Sequence, residues 1–474
     1  MDPAKAVELF RKSCDVGWAG GCWLLGVTVE NGEDGLSADP AKALLLFKKS
    51  CDSGLADGCA SLGSMYARGA GGLAVDRAKA VELYRQACDA GSALGCNDLG
   101  MLYLQGVDGL PAGPVKAVEL YRKACADGAG RGCFSLGAAY ADGLGGLSVD
   151  KAKAAQLYRQ ACDGNVLPGC YNLGAFYAEG EGGLPVDPAK AVELYRKACN
   201  GGMAIGCNNL GSSYEHGNGV SADLAKAAEL YRKSCDSGEA VGCLNLGSMY
   251  LAGGGGLPAD PVRAVDLFRK ACDGGAAGGC YNLGVLYLSG RDGLPADPAK
   301  AIDFSRKACE SGAAEGCYNL GVFYRDGQEG LSADPAKAVE LFRKACANGS
   351  ANACVNLGAA SASGEIGMPV DWVKAVEFFT KGCDLGQAVG CSALGIMYAE
   401  GKGGLSADPA KAVSLFRKAC DGGDAEGCSY LGITYEIGLG GLAADPKKAA
   451  ELYAKACKGG AQNGCDRLKK LGTP

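Results

Sequence analysis

The chain has 474 residues, of which 48% are hydrophobic and 21% are charged, a composition typical of a folded protein. The 47 lysines and arginines and the 53 aspartates and glutamates are interleaved without a basic run, so we expect no binding to nucleic acid. No stretch approaches the roughly 18 consecutive apolar residues of a membrane span, so we expect no membrane insertion. The start, MDPAKAVELF, lacks the charged and apolar segments of a signal peptide.

The first predicted element is an amphipathic helix within residues 1–22, which has no helix before it to pair with. This helix begins without an obvious cap. We therefore expect that a leader, with or without a preceding helix, was removed from the start of the chain.

Cysteines then recur through the whole sequence. The chain has 26 of them, in 13 pairs with the spacing C-x7-C, and the first member of each pair recurs every 37 residues, with one step of 36 between Cys199 and Cys235. Such a period predicts a stacked repeat array instead of separate globular domains. Paired cysteines in this number, with none left over, indicate disulfides and an oxidising compartment.

Each repeat predicts two helices, and the unit that starts at Asp334 shows the first, which we name helix B. Asp334 is a suitable N-cap and Pro335 suits the first helical position. Apolar residues then follow at helical spacing as far as the first cysteine of the pair. A glycine three residues after that cysteine, such as Gly349 or Gly275, fits a left-handed helix stop.

The second helix, helix A, contains the second cysteine of the pair. In the segment ACDGGAAGGCYNLGVLYLSG, residues 271–290, the side chains of Cys280, Leu283 and Tyr287 share one face with Gly284. Glycine at this position would let a neighbouring helix approach closely. The pattern Leu-Gly-x-x-Tyr recurs in other repeats.

The stretch YNLGVLYLSGRDGLPADPAKAIDFSRKACESG, residues 281–312, resembles the Sel1-like repeat, a relative of the tetratricopeptide repeat. The C-x7-C pairs are most similar to the branch of Helicobacter cysteine-rich proteins. The resemblance covers essentially the whole chain. It implies an all-α fold, a right-handed superhelical solenoid of about 12 to 13 helix pairs over residues 1–474, with helix A on the inner, concave surface.

Within such a repeat, each C-x7-C pair would join helix B to the following helix A, with one disulfide per repeat. Closing a loop of about nine residues stabilises a fold by roughly 2 to 3 kcal/mol. Metal binding is the alternative, but zinc sites favour shorter cysteine spacings and added histidine, and the chain has one histidine. The predicted pairs are Cys14 with Cys22, Cys51 with Cys59, Cys88 with Cys96, Cys125 with Cys133, Cys162 with Cys170, Cys199 with Cys207, Cys235 with Cys243, Cys272 with Cys280, Cys309 with Cys317, Cys346 with Cys354, Cys383 with Cys391, Cys420 with Cys428 and Cys457 with Cys465.

Catalytic patterns are weak. The resemblance to the Helicobacter branch implies β-lactam binding or weak β-lactamase activity as one alternative. The S-x-x-K segment Ser148 to Lys151 falls where other repeats have a helix cap, and the companion motifs are missing. His216, the one histidine, lies near the end of a helix A, where a solvated side chain is expected. We therefore predict no enzymatic activity, no cofactor and no metal.

Asparagine precedes Leu-Gly in six consecutive repeats. This position lies about 100° around helix A from the leucine, away from the buried face. The residue before it varies and is often aromatic. On a concave surface these amides could bond the backbone of an extended peptide, and the aromatic rings could anchor it. An alternative stays open, in which each asparagine bonds the neighbouring repeat and sets the superhelical pitch. The candidate peptide-binding residues are Asn172, Asn209, Asn245, Asn282, Asn319, Asn356, Tyr171, Tyr281 and Tyr318.

At the far end, residues 457–474 replace the repeat pattern with lysines, as expected of a polar terminal cap. The sequence as a whole predicts a monomeric, non-enzymatic scaffold that binds a protein or an extended peptide, in the periplasm or secreted. A second alternative from the resemblance is an assembly factor of the mitochondrial intermembrane space.

Overall fold

The computed structural model describes residues 3–33, 36–107, 110–290, 295–328 and 330–472. The regular structure of these residues is helical, in 26 α-helices, and the β-type feature found among them is an isolated bridge between Val107 and Leu110. The chain divides into two compact units, Met1–Ser237 and Gly238–Pro474, here named unit 1 and unit 2.

Odd-numbered helices correspond to the predicted helix B and even-numbered helices to helix A. The helices of unit 1 are α1 (Pro3–Asp15), α2 (Ala19–Asn31), α3 (Pro40–Asp52), α4 (Ala56–Arg68), α5 (Arg77–Asp89), α6 (Ala93–Gln105), α7 (Pro114–Ala126), α8 (Gly130–Asp142), α9 (Lys151–Asp163), α10 (Leu167–Glu179), α11 (Pro188–Asn200), α12 (Ala204–His216) and α13 (Leu224–Asp236). Those of unit 2 are α14 (Ala240–Ala252), α15 (Pro261–Asp273), α16 (Ala277–Ser289), α17 (Pro298–Glu310), α18 (Ala314–Asp326), α19 (Pro335–Ala347), α20 (Ala351–Ser363), α21 (Trp372–Asp384), α22 (Ala388–Glu400), α23 (Pro409–Asp421), α24 (Ala425–Ile437), α25 (Pro446–Lys458) and α26 (Gln462–Lys470).

Helix B begins and ends as predicted. The carboxylate of Asp334 accepts a hydrogen bond of 3.0 Å from the backbone N–H of Lys337, and Pro335 is the first residue of α19. After the helix, Gly349 has φ of 97°, the left-handed region that favours glycine. Both ends of the helix are therefore fixed by local sequence.

The Leu-Gly pair of helix A packs against the aromatic side chain of the next helix B. A Cβ placed at Gly321 in α18 would lie 2.7 Å from Cε1 of Phe342 in α19, whose side chain is fully buried. Glycine is required there because the ring occupies the space of a methyl group. At Gly284 the neighbour is instead Ser305, whose Oγ would lie 3.1 Å from the added Cβ.

Disulfides join each helix B to the following helix A, across Cα–Cα distances of 4.4 to 4.8 Å. In unit 1 the bonded pairs are Cys14 with Cys22, Cys51 with Cys59, Cys88 with Cys96, Cys125 with Cys133, Cys162 with Cys170 and Cys199 with Cys207. In unit 2 they are Cys272 with Cys280, Cys309 with Cys317, Cys346 with Cys354, Cys383 with Cys391, Cys420 with Cys428 and Cys457 with Cys465. Cys235 and Cys243 are also disulfide-bonded, and no cysteine in the described part of the chain is free.

A lysine near the end of helix B links successive repeats, a contact that the sequence pattern alone did not predict. Lys123 Nζ donates to the backbone oxygen of Cys88 at 2.8 Å, and Lys197 Nζ donates to that of Cys162 at 2.7 Å. The last carbonyl groups of a helix lack partners within the helix, so each lysine caps the preceding helix B.

The predicted all-α repeat fold with one disulfide per repeat is therefore confirmed. None of the described helices is long and apolar enough to cross a lipid bilayer. One continuous solenoid over residues 1–474, an unpaired first helix within 1–22 and a capping role for 457–474 stay predictions.

Candidate peptide-binding groove

The exposed side of helix A in unit 1 carries apolar residues. On α6, Leu99 faces the core, and the positions on the other side of the helix hold Asp98, Met101 and Leu104. Met101 is 45% exposed and Leu104 is 38% exposed. Long apolar side chains left exposed along a helix favour a binding surface when they line a shared groove.

These side chains line a groove of about 630 Å³, here named the apolar groove. Its floor is formed by Phe134, Ser135 and Ala138 of α8, and its far wall by the turn between α9 and α10. The groove is lined by Asn97, Asp98, Met101, Leu104, Tyr121, Arg131, Phe134, Ser135, Ala138, Leu144, Asn165, Val166, Leu167 and Pro168.

The far wall departs from the repeat pattern. Asn165 has φ of 59° at the turn position where other repeats have a left-handed glycine such as Gly128 or Gly202. Asparagine tolerates this conformation better than most other residues. Asn165 thus keeps the turn and adds an amide side chain to the wall of the groove.

A second groove, of about 540 Å³, continues from the first and is here named the polar groove. Both grooves are lined by Asp98 and Arg131, so the two are contiguous. On the far side, Arg68 donates to Glu30 at 2.6 Å. The polar groove is lined by Trp23, Val27, Glu30, Asn31, Ala60, Ser61, Ser64, Arg68, Leu94, Asp98 and Arg131.

Asp98 is the half-buried carboxylate where the two grooves meet. Burial raises its pKa, and the hydrogen bond of 3.0 Å from Asn97 Nδ2 and the charges of Arg131 and Arg68 offset part of that rise. Burial also raises the pKa of Tyr121 to about 12, and the charge of Asp98 contributes to this rise. Asp98 is thus a carboxylate held at the surface of the groove with little solvation, which favours contact with a donor or cation.

A third groove, of about 420 Å³, lies beside α10 and α12. One of its lining residues, Ser213, occupies a position that varies among repeats, with Met65 and Leu102 in two of them and Ala139 in another. Ser213 Oγ donates to the backbone oxygen of Asn209 at 2.9 Å. The groove is lined by Ala178, Pro188, Ala191, Tyr195, Asn209, Ser212, Ser213 and Asn218.

The six predicted asparagines are half-buried side chains of helix A, in α10, α12, α14, α16, α18 and α20. In unit 1 their amides contact neighbouring helices. Asn209 Nδ2 donates to Tyr171 Oη at 3.4 Å, and hydrogen bonds from Asn172 and Asn209 partly offset the burial that raises the pKa of Tyr158 and Tyr195 respectively. These contacts favour the packing alternative for Asn172 and Asn209, although Asn209 also lines the third groove.

Two of the three predicted aromatic residues contact helix B. The ring centroid of Tyr171 lies 5.9 Å from that of Tyr195, and that of Tyr318 lies 5.8 Å from that of Phe342. Burial raises the pKa of Tyr281, which is half-buried. The rings of Tyr171 and Tyr318 therefore contribute to packing. Phe134, at the same position on α8, packs in the same way, with its ring centroid 5.9 Å from that of Tyr158, and also lines the apolar groove.

The weak catalytic patterns have structural explanations. Lys151 Nζ forms an ion pair with Glu181, and between Ser148 and Lys151 the side chain of Asp150 caps α9 through the N–H of Lys153 at 2.9 Å. His216 is exposed, with Nδ1 3.0 Å from the Ser212 backbone oxygen. Within the described ranges, no group of three or more histidine, cysteine or acidic residues is arranged to hold a metal ion.

The asparagine pattern did not identify Met101, Leu104 and Arg131. In the sequence these residues are visible only as differences between one repeat and the others, at the helix A positions that face away from the core. Finding such changes requires the buried face of the helix to be assigned first.

Comparisons with known proteins agree with this architecture. The model of the Sel1 repeat matches 13 times, at residues 2–18, 19–55, 56–92, 93–128, 130–166, 167–203, 204–239, 240–275, 277–312, 314–350, 351–387, 388–424 and 425–460. No curated protein sequence gives a significant match.

Among solved structures, a protective antigen of uropathogenic Escherichia coli with an SLR fold is 28% identical, with 98% of this chain and 97% of that chain covered and a TM-score of 0.58. A Sel1 repeat protein from Oxalobacter formigenes is 26% identical over 67% of this chain and 89% of its own, with a TM-score of 0.47. Helicobacter pylori cysteine-rich protein B is 29% identical over 29% of this chain and 96% of its own, with a TM-score of 0.24. The chain therefore belongs to the Sel1 repeat family, and a disulfide in every repeat fits the cysteine-rich branch of that family.

Proposed function

We propose that the protein is a non-enzymatic scaffold whose helix A surface binds an extended segment of a partner protein. Sel1-repeat proteins are generally protein-interaction scaffolds, and most are not enzymes. The observation that carries the proposal for this chain is the continuity of the apolar and polar grooves through Asp98 and Arg131.

The length of this surface suits an extended chain. The two grooves run from α2 to α10, across five successive helix A elements. At about 10 Å between packed helices the path is about 40 Å long, which an extended peptide covers with about 12 residues. A small compact ligand would use only part of it.

The six asparagines that precede Leu-Gly, here named the asparagine ladder, have a secondary role in this proposal. Asn245, Asn282, Asn319 and Asn356, with Tyr281 and Tyr318, would offer amides and ring edges on the helix A surface of unit 2. Asn172, Asn209 and Tyr171 would position the surface of unit 1 through their contacts with helix B.

The test uses peptides selected from a random phage-displayed library of about 12 residues against the disulfide-bonded full chain. Changing Met101 and Leu104 to aspartate places charges in the apolar groove, and we expect affinity to fall at least about tenfold. Both residues are exposed, so the fold should be retained. Leu9→Asp with Leu45→Asp is the matched control, because these leucines are 61% and 68% exposed on helix B elements α1 and α3. Equal affinities for the two double variants would refute the proposal.

The disulfides suggest an oxidising compartment, and we propose the periplasm or the extracellular space. The mitochondrial intermembrane space is the alternative compartment. The protein is proposed to act as a monomer.

A further inference from the structure

The two helix types of unit 1 carry opposite charge. The helix A elements α2 to α12 hold six carboxylates and two guanidinium groups, and their only other titratable cation is His216. The carboxylates belong to Glu30, Asp57, Asp98, Asp142, Glu179 and Glu215, and the guanidinium groups to Arg68 and Arg131.

Helix B has the reverse balance. The elements α1 to α13 with odd numbers hold 21 lysines and arginines and 10 carboxylates, and aspartates at the N-caps of α3, α5, α9, α11 and α13 add five carboxylates. Many of these cations have local partners: Lys190 Nζ lies 3.0 Å from Asp187 Oδ2 and 5.1 Å from the ring centroid of Tyr177. Charges that appear interleaved along the sequence are therefore separated between the two surfaces of the unit.

Acidic groups line the polar groove and also lie at the ends of further helix A elements. Asp98 lies at the junction of the apolar and polar grooves. Asp142 and Glu179 are exposed, at the ends of α8 and α10. Neither lines the apolar or the polar groove. On α8 and α10 they hold the position, nine residues after the helix A cysteine, that Asn31 and Arg68 of the polar groove hold on α2 and α4.

Within the lining of the two grooves the charges balance, with Glu30 and Asp98 against Arg68 and Arg131, so the acidic excess of this surface lies outside that lining. Arg68 is paired with Glu30 at 2.6 Å. Arg131 lies near Asp98 and is exposed, so its guanidinium is solvated on one side. Beyond Arg131, α10 and α12 contain two carboxylates and no lysine or arginine.

Resting on the proposed function, we infer that the groove of unit 1 selects cationic extended segments, in which an apolar side chain enters the apolar groove between lysine or arginine residues that reach Asp98 and Glu179. Opposite charges steer association and discriminate between partners, and a surface of like charge rejects acidic segments. An alternation of basic and apolar residues fits because an extended chain turns successive side chains to opposite sides.

The probes are three fluorescein-labelled peptides of about 12 residues that share two leucines and a serine-glycine background. They carry four lysines, four glutamines or four glutamates at the same positions. We expect the lysine peptide to bind at least about tenfold more tightly than the glutamine peptide, and the glutamate peptide to bind most weakly. The advantage of the lysine peptide should shrink when salt is raised from about 50 mM to about 300 mM.

Removing the charges of Asp98 and Glu179 tests whether these two carboxylates attract the lysine peptide. Asp98→Asn with Glu179→Gln should weaken binding of the lysine peptide about five- to tenfold, a larger loss than for the glutamine peptide. Glu119→Gln with Glu193→Gln is the matched control, because it removes two exposed carboxylates from helix B elements α7 and α11 with the same change in net charge. If the control variant weakens binding of the lysine peptide equally, the inference is overturned, because the net charge of the protein would then explain the attraction.

The two proposals fail differently. If the lysine and glutamine peptides bind equally, and both lose affinity when Met101 and Leu104 become aspartate, the groove binds peptides but does not select cations. If the affinity of neither peptide changes in that variant, the apolar groove is not the binding site.

Discussion

The contact between the helix A glycine and the next helix B predicts opposite effects for one substitution at two equivalent sites. Alanine at Gly321 would place its Cβ 2.7 and 2.8 Å from Cε1 and Cδ1 of Phe342, a fully buried ring. Alanine at Gly284 would meet Ser305 Oγ at 3.1 Å and the backbone oxygen of Ala301 at 3.4 Å. A serine hydroxyl can rotate away, whereas the ring is enclosed on all sides.

The magnitude follows from two opposing terms. Replacing a helical glycine by alanine stabilises the helix by about 1 kcal/mol in both cases. Overpacking at Gly321 costs about 1 to 3 kcal/mol, because the ring or the helix must shift. We therefore expect Gly321→Ala to destabilise its helix pair by about 1 kcal/mol and Gly284→Ala to stabilise its own by up to about 1 kcal/mol.

The assay is native-state hydrogen exchange, because the repeats of an array can open separately and a single melting temperature would mix them. The measured quantity is the free energy of opening of amides in α18 and α19 for Gly321→Ala, and in α16 and α17 for Gly284→Ala. Thermal unfolding by circular dichroism serves as a check on the whole chain. Shifts of equal size and sign for the two variants would refute the proposed packing.

Three other predictions concern the disulfides and the titratable groups of unit 1. Replacing Cys162 and Cys170 by serine should lower the free energy of opening of α9 and α10 by about 2 to 3 kcal/mol, because the bond closes a loop of about nine residues; unchanged exchange rates there would contradict this. Burial raises the pKa of Tyr121 from 10.0 to about 12, so the unfolded chain loses this proton first and stability should fall as the pH rises through that range. Tyr121→Phe should weaken the dependence in alkaline urea unfolding, and an identical pH profile would argue against a buried hydroxyl. Burial also raises the pKa of Asp98 above 3.8, so the contribution of this group to stability is greatest at low pH and is lost as the pH rises through the pKa of the folded state. Asp98→Asn should therefore raise the melting temperature at pH 7 and have little effect near pH 3. A larger increase at pH 3 than at pH 7 would show that the folded protein stabilises the ionised carboxylate.

The fold was predictable from the sequence because each repeat contains the residues that start and end its helices. Asp334 and Pro335 start a helix B, Gly349 ends it, and the C-x7-C spacing matches the turn that the disulfide closes. These are local effects of backbone geometry, so one unit could be analysed without its neighbours. The lysine caps, such as Lys123 on Cys88, were missed because they join residues of different repeats whose relative placement the pattern does not contain.

The groove was less predictable than the fold. The asparagines before Leu-Gly recur regularly, but Asn172 and Asn209 use their amides in contacts with tyrosines of neighbouring helices. The residues that line the apolar groove, such as Met101 and Leu104, are irregular and gave no periodic signal. The charges are interleaved along the sequence, and their separation becomes visible only when alternate helices are assigned to different surfaces.

Two departures from the repeat pattern in unit 1 line the apolar groove, and each carries an expected cost in stability. Asp98 buries part of a carboxylate, and Asn165 holds a left-handed conformation that glycine adopts more easily. An array selected only for packing would keep the common residue at these positions, as it does at the cysteines and at Leu-Gly. Costs of this kind persist where another requirement outweighs them, and here they lie on one surface, beside exposed apolar side chains and an excess of carboxylates. That coincidence argues for ligand binding by the helix A surface more strongly than the regular asparagines do.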